Sequence, residues 1–543
     1  MKQCAPSEAR NHRRFSIAEW PRSLWFVGLL YALVLALLAL PISSVLVPPL
    51  IDYPNHLARM HVLADYSTSP ELQRNYVVSW KPAPYLAMDA IVPPLTRIMS
   101  IYTAGRVFLY ICLLQFVLGT AAINAALFRR MSPWPAVSAL FAYSLVFDRG
   151  YANYLFGIGA WLLAFAGWIA LSRHGVLWRL LCGSVLSLAV YFSHFFAFTG
   201  YILCVGAYEL GLWLNVRDRK PGVLLARGAI AFCPFIVPLI LFAHVSHGQS
   251  GGLTWYGTPD VKIIALLSPV LFLSASFNIT ILELWLFFNL AVLLLIPSQR
   301  GRWGRVAVSA PMRVPLLLLA ILAIAMPNIL GGVWEADIRL PVVFLFLLIA
   351  SCAWQEVPTM AVTLASGCLV LLLAIKMGGI VLAWKPIDRQ YNDFRAALPA
   401  IPRGARTIAF WDDGKIDSPP RADLPYVYWH MPALAIIERD VYLPFLFKNP
   451  MMPVQSAPAR RGIDTQSGRP IELHELLEAA DPVSGTSKLG NLSPLGERNY
   501  WAGWPRTFDY AIEETFGERP NPPPELEFVA GGQFFNFYRI IQR

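Results

Sequence analysis

The sequence predicts a mostly α-helical membrane protein: a polytopic bundle of about 11 spans followed by a C-terminal soluble α/β or α+β domain. Hydrophobic residues make up 56% of the chain and charged residues only 14%, whereas an ordinary soluble domain is about 25% charged. Apolar runs long enough to cross a bilayer recur between residues 24 and 383 and stop at Lys385. We therefore place a transmembrane domain at 1–384 and a soluble domain, called the tail domain, at 385–543.

The predicted spans follow the apolar runs and their flanking charges. They lie at 24–47, 105–127, 134–147, 155–172, 177–192, 195–214, 224–243, 279–297, 314–330, 341–355 and 359–383. Counting 263–277 as a further span would break the pattern of Arg-rich connections, so we interpret it as an interfacial or re-entrant helix.

The tail domain shows a mixed pattern of apolar runs. Helices are predicted at 391–398 and 472–480. Strands are predicted at Thr407–Trp411, Ala433–Ile437, Tyr510–Glu513 and Phe534–Ile541.

The charge of the chain is distributed unevenly. Residues 385–543 contain 18 Lys+Arg and 20 Asp+Glu, which leaves 26 basic and 14 acidic residues in 1–384, so the positive excess behind the chain's net charge of +10 lies entirely there. Basic residues between spans mark the cytoplasmic side. No soluble helix carries a basic stripe, so a nucleic-acid partner is not expected. The Arg-rich N-terminus is thus predicted to be cytoplasmic and, after an odd number of spans, the tail domain lies outside.

Carboxylates gather on that same outer face. The longest outer connection, residues 48–104, is called the first loop. Eight of the 14 acidic residues of the membrane half lie in outer connections, namely Asp52, Asp65, Glu71, Asp89, Asp148, Asp260, Glu335 and Asp337. If the protein performs chemistry, we expect it on this face.

The strongest motif opens the first loop. A helix beginning at Pro54 would bring Asp52, His56 and Arg59 within about two turns of one another. The acid, the imidazole and the guanidinium could serve as a base, its partner and an anion clamp. In the alternative interpretation, Asp52 caps the helix while His56 and Arg59 anchor it at the headgroups.

A second motif lies between two late spans. Glu335, Asp337 and Arg339 occupy one short connection, where they could bind a metal, a sugar or a phosphate. The alternative is a solvated loop with an internal ion pair of little energetic value. We expect Asp52, His56 and these three residues to border one cavity, because charged groups near a bilayer gather around water or partners.

Two further segments supply polar residues near aromatic ones. Arg149 and Asn153 lie among tyrosines, a composition that suits carbohydrate but also fits the interfacial aromatic belt, which we favour. His194 lies within a long apolar stretch and requires a cavity or a partner there.

The many spans, the acid at the start of a long first outer loop (Asp52) and the outer C-terminal domain together resemble the GT-C class of glycosyltransferases. This class includes protein O-mannosyltransferases and lipid A aminoarabinose transferases. Members often carry paired acids in that loop, whereas Tyr53 follows Asp52 here, so the need for a divalent metal stays open. The segment from Asp52 to Arg59, with Asn153 and His194, is also similar to uncharacterised bacterial membrane proteins.

The resemblance implies an enzyme that takes a sugar from a polyprenyl phosphate and passes it to a hydroxyl of a glycan, lipid or protein acceptor. It also implies a bacterial inner membrane, with the tail domain in the periplasm and membrane lipid as a partner. Asp52 would be the general base. Stabilisation of the leaving lipid phosphate would come from cations, for which the candidates are Arg59, Arg149, Lys262 and Arg339.

Two other functions remain as alternatives. A transporter or lipid flippase would also explain arginines and broken spans, although transporters often show internal repeats and none is evident in this sequence. The third alternative is a non-catalytic membrane scaffold that displays the tail domain.

Overall fold

The computed structural model describes residues 23–246, 252–272, 305–355, 357–412, 425–465, 471–478, 500–501, 503–515 and 522–541. The helices are α1 (Leu24–Ser43), α2 (Tyr53–Asp65), α3 (Pro70–Asn75), α4 (Ala87–Leu95), α5 (Ile101–Phe128), α6 (Leu145–Asp148), α7 (Ala152–Leu171), α8 (Val176–Ser193), α9 (Phe195–Leu214), α10 (Pro221–Phe232), α11 (Ile236–Val245), α12 (Pro259–Leu266), α13 (Arg313–Ala325), α14 (Arg339–Ala350), α15 (Thr359–Ala397), α16 (Leu434–Arg439), α17 (Leu473–Glu478) and α18 (Trp504–Thr507). The strands are β1 (Tyr76–Val78), β2 (Arg305–Val308), β3 (Cys352–Gln355), β4 (Thr407–Asp412), β5 (Val454–Ser456), β6 (Ile471–Glu472), β7 (Tyr510–Thr515), β8 (Leu526–Gly531) and β9 (Phe535–Ile540).

The predicted class, a polytopic helical bundle with a C-terminal sheet domain, is confirmed. Within the described ranges, seven helices are long and apolar enough to cross a membrane: α1, α5, α7, α8, α9, the joined α10–α11 and α15. Two shorter apolar helices, α13 and α14, accompany them. Local caps set where the first long helices begin, since Ser23 and Ser100 accept the N–H groups of Phe26 and Thr103 at 3.2 Å. The span predicted at 279–297 lies outside the described residues.

The span predicted at 134–147 does not form a long helix. The chain instead makes a 3-10 helix at Trp134–Phe141, followed by the short α6. The Lys376 ammonium of α15 donates to the carbonyls of Leu140 and Tyr143 at 2.7 and 2.9 Å. These carbonyls would otherwise accept helical N–H groups, and the ammonium satisfies them where water is scarce.

The segment 263–277 is described only up to residue 272. Helix α12, at Pro259–Leu266, has eight residues, far fewer than the roughly 20 needed to cross a bilayer. The side chains of Ile263, Ile264 and Leu266 are exposed. The described part of this segment therefore remains compatible with an interfacial helix.

The tail domain is built on a five-stranded sheet with the order β6–β4–β7–β9–β8. Strands β6, β4 and β7 are parallel, whereas β9 runs antiparallel to both β7 and β8. Helix α15 continues from the bundle into this domain and thus passes through the predicted boundary at 384/385. The centroid of its Phe394 ring lies 5.1 and 5.2 Å from the centroids of the Phe535 and Phe537 rings.

Most predicted strands of the tail domain are confirmed, namely those at 407–411, 510–513 and 534–541. The strand predicted at 433–437 is wrong, because the chain forms a 3-10 turn and then α16. Four successive residues, 434–437, are buried, and a short apolar run that is buried all round has no periodicity to separate helix from strand. Asp440 ends the helix in the left-handed conformation, at φ 53°.

The first loop and the tail domain contact each other directly. Strand β1 of the loop pairs antiparallel with β5 of the tail. His61 of α2 hydrogen-bonds Asp440 at 2.8 Å and Asp65 at 2.9 Å, and Arg403 also bonds Asp440. The position of α2, and hence of Asp52, depends on this packing.

The contact at His61 predicts a pH-dependent stability. Burial alone would lower the pKa of His61, but hydrogen bonds to Asp440 and Asp65 outweigh it and raise that pKa. The stabilisation is therefore fully present below the unfolded value of about 6.5 and is lost as the pH rises through the higher folded value. We expect the melting temperature of the wild type to fall more between pH 6 and pH 9 than that of His61→Gln. The exposed His474 offers the matched control, and a slope for His474→Gln equal to that of His61→Gln would refute the assignment.

Candidate functional site

The backbone of the 148–151 turn holds the start of α2. The N–H of Asp52 donates to the carbonyl of Arg149 at 3.0 Å. Gly150 has φ 71°, and an added Cβ would lie 3.0 Å from the nitrogen of Tyr53 and 3.2 Å from that of Asp52. Glycine is therefore required for this close approach.

The side chain of Asp52 does not cap α2, so the capping interpretation is wrong. Asp52 precedes the helix, and its backbone carbonyl accepts the N–H of His56 at 3.0 Å, but its carboxylate makes no hydrogen bond to the helix start. Instead, Oδ1 lies 3.4 Å from Nε2 of His430 in the tail domain. The carboxylate is 19% exposed, which leaves it accessible to a substrate.

Asn55 sets the tautomer of His430. The Asn55 Oδ1 accepts the N–H of Phe447 at 2.7 Å, which fixes the orientation of the amide. Its Nδ2 then donates to the Phe445 carbonyl at 2.9 Å and to Nδ1 of His430 at 3.2 Å. In its neutral form, His430 therefore carries its proton on Nε2, the nitrogen nearest to Asp52. Neither residue was a candidate from the sequence.

Arg149 and Glu335 join the 148–151 turn to the connection that contains Glu335, Asp337 and Arg339. The guanidinium Nε lies 3.0 and 2.9 Å from the two Glu335 oxygens, and a terminal nitrogen lies 2.8 Å away. The hydroxyl of Tyr151 donates to the same carboxylate at 2.6 Å. Burial would lower the pKa of Arg149, but Glu335 outweighs it and raises that pKa. The guanidinium keeps its charge, and its contacts with Glu335 hold the two connections together.

Arg339 has a different environment. Its guanidinium lies over three aromatic rings, those of Tyr151 (4.6 Å), Tyr154 (5.2 Å) and Phe196 (5.7 Å). It also donates to the carbonyls of Trp334 and Glu335 at 3.3 and 3.4 Å. No carboxylate of the described residues forms an ion pair with it. A buried cation held by rings and carbonyls can still bind an anion.

Tyr151 links Asp52 to Arg339. The Arg339 guanidinium lies over the Tyr151 ring, and the Tyr151 hydroxyl donates to Glu335. Arg149 pairs with the same carboxylate, and its carbonyl accepts the Asp52 N–H. The structure therefore brings Asp52, Arg149, Glu335 and Arg339 into one neighbourhood.

His56 is buried close to this group. Its ring lies 5.0 Å from that of Phe447, and its Nδ1 has no hydrogen-bond partner in the described structure. Burial, and then the charge of Arg59, lower the pKa of His56 well below its usual value. The imidazole is thus neutral and retains an unused polar atom.

His194 occupies the turn between α8 and α9. Its Nδ1 accepts the N–H of Phe196 at 3.1 Å. The ring packs edge-on against Tyr85 and Tyr154 at 4.6 and 5.0 Å. These contacts supply the partners that a histidine in an apolar stretch requires.

Arg59 and Asn153 are engaged inside the protein. Arg59 bonds both oxygens of Asp89 at 3.0 and 2.8 Å, and both side chains are fully buried. The amide of Asn153 accepts the Met88 N–H at 2.8 Å and donates to the Tyr85 carbonyl at 2.7 Å. We infer that the two residues hold α2 and the 85–88 turn in place.

Asp337 and Lys262 are paired with each other. Their charged atoms lie 3.0 Å apart, and Asn328 donates to the second Asp337 oxygen at 3.0 Å. The Asp337 side chain is fully buried. We infer that this pair fixes the late connection beside α12.

The described residues offer no evident set of ligands for a divalent metal. In the part of the chain that the structure describes, no group of three His, Cys, Asp or Glu side chains could hold a metal ion. We derive no chemical step through a metal.

Comparisons with known proteins give a likeness in structure. No protein-family model matches the chain, and no curated protein matches it. Among solved structures, the chain is similar to the crystal structure of ArnT from Cupriavidus metallidurans bound to undecaprenyl phosphate. The two are 10% identical, the match covers 95% of this chain and 98% of that chain, and the TM-score is 0.48.

Proposed function

We propose that this protein is a membrane glycosyltransferase that passes a sugar from a polyprenyl phosphate to an acceptor hydroxyl, with Asp52 as general base. The observation that carries this proposal is the environment of Asp52. Its carboxylate is partly exposed, caps no helix and faces the Nε2–H of His430. Arg339, which has no carboxylate partner in the described residues, is connected to Asp52 through Tyr151, Glu335 and Arg149.

The proposed reaction needs one base and one anion site. The acceptor O–H bond breaks and its proton passes to Asp52, while the acceptor oxygen forms a bond to the anomeric carbon. The bond between that carbon and the phosphate oxygen breaks, and its electron pair stays on the phosphate. A carboxylate can take the proton, and a guanidinium can stabilise the charge that develops on the leaving group.

His430 and Asn55 act as positioning residues in this proposal. Because Asn55 keeps the proton of His430 on Nε2, the imidazole can hydrogen-bond Asp52 and orient its carboxylate. The second oxygen of Asp52 is then left for the acceptor hydroxyl. The tail domain would thus complete a site that the first loop begins.

Mass spectrometry of cell-envelope glycans and lipids tests the proposal. Cells lacking the protein should lose one glycoconjugate mass and accumulate a polyprenyl-phosphate sugar. Wild-type protein should restore the normal pattern and Asp52→Asn should not, whereas Asp260→Asn, which changes an exposed acid outside the site, should restore it. Envelope glycoconjugates that are identical with and without the protein would favour the transporter or scaffold alternatives.

A further inference from the structure

Two connections beside the candidate site form a small built surface. The N–H groups of Trp255 and Ile329 each donate to the other residue's carbonyl at 2.9 Å, and Gly332 donates to the Leu253 carbonyl at 3.0 Å. We call residues 252–257 and 329–334 together the platform.

Glycines allow the two halves of the platform to meet. A Cβ added at Gly252 would lie 2.6 Å from the carbonyl carbon of Gly331. Gly331 and Gly332 also have φ of 58° and 83°, which side chains rarely adopt. The platform therefore has a defined backbone rather than a loop conformation set by chance.

The platform exposes an unusual number of large apolar side chains. Six of them are between 40% and 63% exposed, namely Leu253, Trp255, Tyr256, Leu330, Val333 and Trp334. A contiguous apolar patch of this kind marks an interaction surface. Trp and Tyr are the residues enriched where a bilayer meets water.

Exposed apolar side chains also lie on the helices next to the platform in the chain. Leu317, Ile321 and Ile324 of α13 are more than half exposed, and their spacing places them on one helical face. Helix α13 precedes residues 329–334 of the platform in the chain. Helix α12 follows residues 252–257, and its Ile263 and Ile264 are exposed. Exposed apolar side chains on the two helices that flank the platform in the chain favour lipid over a soluble partner as its occupant.

We propose that the platform lies in the headgroup region of the membrane, with its apolar side chains inserted among the lipids. This inference goes beyond sugar transfer and does not depend on it. The platform also places Arg339, because the carbonyls of Trp334 and Glu335 accept from its guanidinium. The depth of the platform thereby sets the depth of Arg339 relative to the layer of lipid phosphates.

Collision measurements on a spin label test the depth. Tyr256→Cys is labelled with a nitroxide after Cys4, Cys182, Cys233 and Cys368 have been replaced by serine, and the protein is placed in nanodiscs of phosphatidylethanolamine and phosphatidylglycerol. Phe528→Cys is the matched control, since Phe528 is an exposed aromatic residue on the tail sheet. Both substitutions are at exposed positions and should leave the fold intact.

We expect the label at residue 256 to collide with oxygen and to lose collisions with a water-soluble nickel complex, whereas the label at 528 shows the reverse. If both labels collide equally with nickel, the platform is in water and the inference is overturned. Because the readout is collision frequency, it is independent of whether the protein transfers sugar.

Discussion

Asp52→Asn is expected to reduce the turnover of sugar transfer by about 10²–10⁴-fold, the usual contribution of a general base. The substitution keeps the size of the side chain and removes its basicity. It should leave thermal stability nearly unchanged. The measurement is transfer from a polyprenyl-phosphate donor by purified wild type and variant, with unfolding followed in parallel.

Two controls separate chemistry from folding. Loss of a helix cap would cost about 1 kcal/mol, but the Asp52 carboxylate makes no cap bond, so Asp52→Ala should melt close to the wild type. Asp260→Asn should retain turnover. Normal turnover in Asp52→Asn would remove Asp52 as the base.

Arg59→Gln and Arg339→Gln are expected to fail in opposite ways. Arg59→Gln leaves Asp89 buried without its partner, which should cost about 3–5 kcal/mol of the free energy of unfolding. Arg339→Gln breaks no ion pair among the described residues. It removes only ring and carbonyl contacts, so it should cost less stability than Arg59→Gln, and it should lower turnover by about 10²–10³-fold, as expected when one stabiliser of a developing charge is removed.

Thermal unfolding and turnover of both variants decide this comparison. Replacing the buried pair by apolar residues, in Arg59→Met/Asp89→Leu, should recover much of the lost stability. The exposed Arg539 provides a neutral control as Arg539→Gln. If Arg59→Gln is stable but has lost turnover, Arg59 instead binds the lipid phosphate, as the sequence suggested.

Hydropathy was sufficient to predict the long helices. The runs that begin at Leu24 and Ala152 are continuous and apolar over at least 18 residues, so length alone identifies them. The run at 134–147 is also apolar, but it is short and contains Pro135, and two of its carbonyls accept from Lys376, which lies more than 230 residues away. No local pattern reports such a contact.

The candidate site shows the same division. Asp52 was predicted because an acid follows the first span and begins the first loop. His430 was missed, since 375 residues separate it from Asn55 and a lone histidine in the tail carries no motif. Likewise, the pairing of Arg59 with Asp89 across 30 residues could not be read from spacing. Local sequence identifies candidate residues. Contacts between distant segments determine which of those residues already have a partner inside the protein.

The most direct test of the proposed activity is the fate of the donor lipid. Purified protein is incubated with solubilised envelopes of cells that lack it, which contain the donor together with lipid, glycan and protein acceptors, and polyprenyl-phosphate sugars and free polyprenyl phosphate are followed by mass spectrometry. The proposal predicts that the wild type consumes one polyprenyl-phosphate sugar and releases an equal amount of polyprenyl phosphate, while Asp52→Asn does not. If the wild type leaves every polyprenyl-phosphate sugar at its starting level, the glycosyltransferase assignment is contradicted.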